Sequence, residues 1–136
     1  MRMNDTHALI ERYYAAFNRQ DWTGMLECLT PDVQHDLNQG AREVGVDAFR
    51  AFLARMDASY REELRDVTVL VSADGTRAAA EYTVHGTYLR TDEGLPEANG
   101  QTYVLPGGAF FDVRDGRIAR VTNYYNLQDW LQQVGA

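Results

Sequence analysis

One cysteine in 136 residues leaves no internal disulfide available, and Cys28 sits in an apolar helical stretch, the usual setting of a buried, unreactive thiol. No apolar run approaches the length of a membrane span, and the opening residues M-R-M-N-D-T-H hold no hydrophobic segment of the leader kind. A cytoplasmic protein with no membrane contact is expected. Positive charge is scarce: 13 basic residues against 20 acidic ones give a net charge of −7, which opposes binding to phosphate backbones and argues against a nucleic-acid partner. His7, His35 and His85 fall in no ligand spacing such as H-x-x-x-H, so no metal site is expected.

What remains is an ordinary globular composition, 45% hydrophobic and 24% charged, consistent with a single domain over residues 1–136 built on one core. After the cap candidates Asn4, Asp5 and Thr6, the residues Leu9, Ile10, Tyr13, Tyr14 and Phe17 recur at helical spacing and predict a first helix ending near Asn18 to Gln20. Asp21 is placed to cap a shorter helix with a face of Trp22, Met25, Leu26 and Leu29, stopped by Pro31. From Val33 to Gly40 the pattern alternates, which is the period of a strand: Val33, His35 and Leu37 share one face, and Gln34, Asp36 and Asn38 share the other. Gly40 to Gly45 reads as a turn-rich link, and Asp47 as the cap of a third helix with Phe49, Phe52, Leu53, Met56 and Tyr60 on one stripe.

Beyond Glu62 the chain reads as an antiparallel meander. Val67, Val69 and Val71 alternate toward the turn pair Asp74-Gly75, and the return arm, Arg77 to Arg90, puts Ala80, Tyr82, Val84, Gly86 and Tyr88 on one face and His85 on the other. Thr91 to Gly100 is polar and rich in breakers, the profile of a mobile lid. The following arm, Gln101 to Asp112, contains Pro106-Gly107-Gly108, which predicts a bulge or sharp bend. The turn Arg114-Asp115-Gly116 leads to a last strand on which Ala119, Val121, Asn123 and Tyr125 share a face, followed by a short helix with Leu127, Trp130, Leu131 and Val134. The expected fold is α+β: three N-terminal helices packed on the concave side of a strongly bent, mostly antiparallel sheet, a cone-like α+β barrel with a short C-terminal helix. Such packing leaves a cavity suited to a small hydrophobic ligand.

Four segments carry a resemblance: R-Y-Y-A-A-F-N-R-Q-D-W from Arg12 to Trp22, the strand ending H-D at Asp36, the A-F-R-A-F-L helix, and F-F-D-V-R-D-G-R-I from Phe110 to Ile118. Together they resemble the nuclear transport factor 2-like superfamily over nearly the whole chain, within it the steroid Δ5-isomerases and SnoaL-like polyketide cyclases. The resemblance implies cofactor-free chemistry with Asp36 as the base and Tyr13 as the donor to an enolate oxygen. The isomerases' second acid falls on Gly108, with Asn123 or Tyr103 as substitutes.

The residues themselves keep several alternatives open. Tyr14, adjacent to Tyr13, is an equal candidate for the pocket, and either tyrosine also fits an ordinary core. Asp36 also fits a solvated strand end, and His35 a surface or interface position. His85, Tyr88, Tyr103, Phe110, Tyr124 and Tyr125 are candidate ligand contacts, and Asn123 joins them from the last strand. Three functions are compatible with this pattern: a cofactor-free isomerase or cyclase, a hydrophobic-ligand binder without chemistry, and a cofactor-free hydrolase. A homodimer is expected through the outer sheet face, with Tyr82, Val84, Phe111 and Val113 as its apolar residues.

Overall fold

The computed structural model describes residues 2–135. Helix α1 (Met3–Asn18) buries Leu9, Ile10, Tyr13, Tyr14 and Ala16 along the predicted stripe. Thr6 is not its cap; the hydroxyl donates to the carbonyl of Gly75 at 2.6 Å and ties the helix to a distant turn. Asp21 does cap helix α2 (Trp22–Glu27), accepting from the Gly24 N–H at 2.9 Å. Strand β1 (Leu29–Asp36) begins earlier than the alternation suggests, so Leu29 and Pro31 are strand residues. Pro31 fits because β1 and its neighbour break register between Leu29 and Gln34, where no ladder donor is needed.

The link after β1 contains a short strand, β2 (Arg42–Val44), paired antiparallel to β1 with Asp36 opposite Arg42. Gly45, at φ 101°, starts helix α3 (Val46–Ser59), and Asp47 lies in its first turn beside Arg50. This helix passes directly into strand β3 (Tyr60–Val71), so Tyr60 opens the strand instead of extending the helix. Strands β4 (Arg77–Tyr88), β5 (Thr102–Arg114) and β6 (Arg117–Tyr125) follow, and Asn126 caps helix α4 (Leu127–Val134).

The six strands form one curved sheet in the order β2-β1-β6-β5-β4-β3, antiparallel except for the parallel β1–β6 pair. Pro106-Gly107-Gly108 does not interrupt it: β5 stays in register with β4 throughout, Thr83 facing Pro106 and Tyr82 facing Gly107. Pro106 is tolerated because β6 reaches only to Gly107, so the missing N–H falls where no strand asks for it. Two residues earlier the Gln133 side chain of α4 takes the strand's place, accepting from Val104 N–H and donating to Val104 C=O, both at 2.9 Å. The irregularities lie elsewhere, at Arg65–Thr68 in β3 and beside Ala119 in β6, which makes Ile118 the buried residue there and leaves Ala119 half-buried.

Inward residues of β4 and β5 alternate as the period requires. Tyr88, Phe111 and Ile118 are fully buried with Ile10 and Val33 under the helices. Val84, Phe111 and Val113 are thus core, and Tyr82 is partly buried against it, so none of the four provides an outer-face contact. The apolar residues that do face outward from β5 and β6 are Val104, Phe110 and Tyr124, each about half exposed. No helix among the described residues is long and apolar enough to cross a membrane.

Candidate functional site

Between the helices and the inner sheet face lies a cavity of about 320 Å³. Six of the chain's eight tyrosines line it: Tyr13 and Tyr14 from α1, Tyr60 from β3, Tyr82 from β4, Tyr103 from β5 and Tyr125 from β6. Phe49, Phe52, Leu53 and Met56 of α3, Leu105 and Trp130 supply apolar wall. A cavity so built has flat apolar surfaces for a ring and hydroxyls for its oxygens.

Three carboxylates border the cavity, Asp57, Glu62 and Asp92, and of these Glu62 is the one carried by the sheet. Glu62 of β3 faces Gly86 of β4, and Gly86 faces Tyr103 of β5, so the three lie in one row across the sheet. A Cβ on Gly86 would collide with the Tyr103 ring, which lies over the bare glycine backbone. Across that gap the Tyr103 hydroxyl donates to Glu62 Oε2 at 2.6 Å. Burial pushes the Glu62 carboxyl above the usual range, and the Tyr103 hydrogen bond pulls it back in part. The Tyr103 phenol is driven upward by burial and then by the Glu62 charge, so it remains a proton donor.

The tyrosines of α1 sit in an aromatic cluster, with Tyr13 edge-on to Tyr14 at 5.1 Å and to Phe111 at 5.8 Å. Burial raises both phenols, and the Tyr14 ring lies 5.4 Å from that of Tyr82, whose own phenol is pushed up to about 12 by burial. Both α1 tyrosines line the cavity, so they are partners in one wall and not alternatives.

Asp36 does not reach the cavity. Its strand neighbour His35 faces inward, and the alternation of β1 sends the Asp36 side chain to the opposite face. There Arg42 donates to it through Nε at 2.6 Å and Nη2 at 3.0 Å, and the Thr122 hydroxyl donates at 2.5 Å. The Arg42 hydrogen bond, helped by Thr122, holds the carboxyl down at about 2. The expectation of an inward Asp36 base is therefore corrected: the group is engaged in a sheet-surface ion pair.

His35, expected at a surface or interface, is 1% exposed, with its ring centre 4.4 Å from that of Phe49 and 4.6 Å from that of Phe52. Burial lowers it to about 4, so it is neutral at physiological pH. Its Nε2 lies 3.0 Å from the amide nitrogen of Asn123, itself a cavity residue. Tyr103, Asn123 and Tyr125 thus reach the cavity as expected, whereas His85, Tyr88, Phe110 and Tyr124 do not line it. His85 stands in register with Glu63 and Val104 on the outer face, and Phe110 packs outside against Tyr124 at 5.8 Å.

Tyr88 serves the loop instead. Its hydroxyl donates to the Pro96 carbonyl at 2.7 Å and accepts from the Asp92 N–H at 3.0 Å, while the Tyr60 hydroxyl donates to Asp92 Oδ2 at 2.8 Å. The segment expected to be mobile is tied down as a strap, with Asp92 and Leu95 forming part of the cavity wall. Among the described residues no group of three His, Cys, Asp or Glu side chains is placed to hold a metal ion.

A family profile described as a SnoaL-like domain matches residues 10–121. The chain is 64% identical to a candidate polyketide cyclase from Xanthomonas campestris pv. campestris, the match covering 96% of this chain and 97% of that one at a TM-score of 0.94. Similar proteins of the same description come from Pseudomonas putida KT2440, at 60% identity, 93% and 95% coverage and TM-score 0.92, and from Silicibacter sp. TM1040, at 55%, 100% and 99%, and 0.96. No curated protein matches the chain.

Proposed function

The chain belongs to the SnoaL-like domain family, and from that membership we propose that it is a cofactor-independent enzyme of the polyketide-cyclase type, with Glu62 as its base. The observation that carries this reading is the Glu62 carboxylate in a tyrosine-lined apolar cavity, made more basic by burial and held by Tyr103. A carboxylate made more basic by burial is better matched to removing a proton from a carbon beside a carbonyl. The substrate is a hydrophobic polyketone with at least two carbonyl groups. Glu62 takes a proton from a methylene next to one carbonyl, and the enolate oxygen is met by a hydroxyl of the Tyr13–Tyr14 wall. The enolate carbon then forms a bond to the second carbonyl carbon, and the resulting alkoxide receives the proton back from Glu62. The proton balance closes without an oxidant, reductant or cofactor.

The test is deuterium exchange at the methylene of an aryl 1,3-diketone, followed with wild type and Glu62→Gln. Loss of the base predicts a fall of about 10²–10⁴-fold in exchange while the neutral ketone still binds. Equal exchange by both proteins leaves a hydrophobic-ligand binder without this chemistry.

A homodimer joined through the outer sheet face is part of the same proposal. Val104, Phe110 and Tyr124 form its exposed apolar residues, and half exposure of three large side chains on one sheet face favours a partner surface. A monomer mass by light scattering at micromolar concentration overturns it.

A further inference from the structure

We infer that Asn123, oriented by His35, presents its amide NH₂ group to the cavity as the site that binds a carbonyl or phenolic oxygen of the ligand. The inference deepens the proposed function by naming a second oxygen contact, and it rests on that reading only for the class of ligand.

The contact at issue joins Asn123 Nδ2 and His35 Nε2 at 3.0 Å. A side-chain amide has the same shape in two orientations, so two proton arrangements satisfy this contact. In one, the amide NH₂ donates to an unprotonated Nε2, which requires the imidazole proton on Nδ1. Nδ1 is buried and has no hydrogen-bond partner among the described residues, so this arrangement leaves an N–H stranded between Phe49 and Phe52. In the other, Nε2–H donates to Asn123 Oδ1 and Nδ1 keeps only a lone pair. Stranded N–H groups are rarer in folded proteins than under-satisfied acceptors. The second arrangement is therefore favoured, and it frees both amide hydrogens of Asn123 from His35.

Those hydrogens face a cavity rather than solid core, because Asn123 is half-buried and lines it. A second amide repeats the feature nearby. Asn38 Oδ1 accepts from the Tyr125 N–H at 3.3 Å, two residues from Asn123, and the Asn38 NH₂ is buried without a partner among the described residues. Two unpaired amide donors on one cavity wall call for an acceptor, and an uncharged imidazole behind one of them brings no positive charge of its own. This is the chemistry of a site for a ligand oxygen in a largely apolar, flat molecule. His35 borders the cavity as well, but in this arrangement its Nε2–H is spent on Asn123 Oδ1, so it acts as a positioning residue.

The test uses wild-type protein and Asn123→Ala with two bicyclic probes that differ by one oxygen, 2-naphthol and naphthalene. The inference expects 2-naphthol to lose about tenfold or more in affinity in the variant, with naphthalene changed less than twofold. Imidazole ¹⁵N spectra of the unmodified protein supply a readout that a merely structural histidine does not predict: a neutral ring protonated on Nε2, and an Asn123 side-chain amide resonance that moves on adding 2-naphthol. Equal losses for both probes, or a proton found on Nδ1, overturn the assignment. These readouts are of binding and protonation, so they are independent of whether Glu62→Gln abolishes exchange.

Discussion

Tyr103 reaches Glu62 across Gly86: the hydroxyl on β5 meets a carboxylate two strands away on β3, at 2.6 Å, over the residue of β4 that has no side chain. The pair exists because the strand between them is bare at that row. A residue absent from any list of chemical groups thus sets the polarity of the cavity.

Gly86→Ala is therefore expected to act on the site and not only on packing. The added methyl collides with the Tyr103 ring and forces it aside, at a cost of about 1–3 kcal/mol. If the loss includes the Tyr103–Glu62 bond, Tyr103→Phe is nearly silent in the Gly86→Ala background but costs about 1 kcal/mol or more in wild type. Chemical denaturation of the four proteins of this cycle checks it; an equal cost of Tyr103→Phe in both backgrounds contradicts the bridge.

Glu62 carries a second prediction, in stability. Its folded-state carboxyl is raised, so the fold binds this proton more tightly than the unfolded chain, and the fold is relatively weakened as pH rises above the unfolded value of 4.5. Glu62→Gln removes that liability and keeps an acceptor for Tyr103. The variant is expected to melt higher than wild type at pH 8, the gain shrinking as the pH is lowered toward 4.5. Melting curves across this range decide it, and a variant less stable than wild type at pH 8 counts against a costly buried charge.

Much of this site was legible in the alternation of the chain. The inward row Ala80, Tyr82, Val84, Gly86 and Tyr88 follows period two, and the α1 tyrosines follow the helical period. Glu62 was not legible because β3 changes parity within itself. Val67, Val69 and Val71 pack inward, and counting back from them puts Glu62 outside. The irregularity at Arg65–Thr68, with Asp66 at φ 55°, restores Leu64 and Glu62 to the inner face. The usable signal was Leu64, an apolar residue two positions from Glu62 in a charged run. Asp36 teaches the converse. The period already placed it opposite Val33 and His35, and the apolar pair marks the cavity side; the family resemblance pulled it inward against that pattern.

His35 predicts an acid limit to stability. A histidine at about 4 in the fold and 6.5 when unfolded must be held neutral, so the unfolded chain binds its proton first as pH falls. Stability attributable to this group is intact above 6.5 and declines between 6.5 and 4. The interval corresponds to about 3 kcal/mol, an upper bound for one group. Urea unfolding at pH 7 and pH 4.5 measures the decline, and His35→Asn is expected to flatten it even if the variant is less stable at pH 7. A pH slope unchanged in that variant assigns the acid sensitivity to other residues.

Asp36→Asn gives the sharpest contrast between the face of the sheet and the cavity behind it. The carboxylate is bonded to Arg42 and Thr122 on the side away from the cavity, so the substitution is expected to leave both diketone exchange and 2-naphthol affinity within about twofold of wild type. Its effect falls on stability. A carboxyl held at about 2 against an ordinary 3.8 stabilises the fold above 3.8, and the contribution disappears as pH drops from 3.8 through 2. Because Arg42 is nearly half exposed, screening limits the loss to about 1 kcal/mol at neutral pH. A fall in exchange of a hundredfold with stability unchanged would instead require the Asp36 side chain to leave Arg42 and turn through the sheet, which the alternation of β1 forbids while His35 remains packed between Phe49 and Phe52.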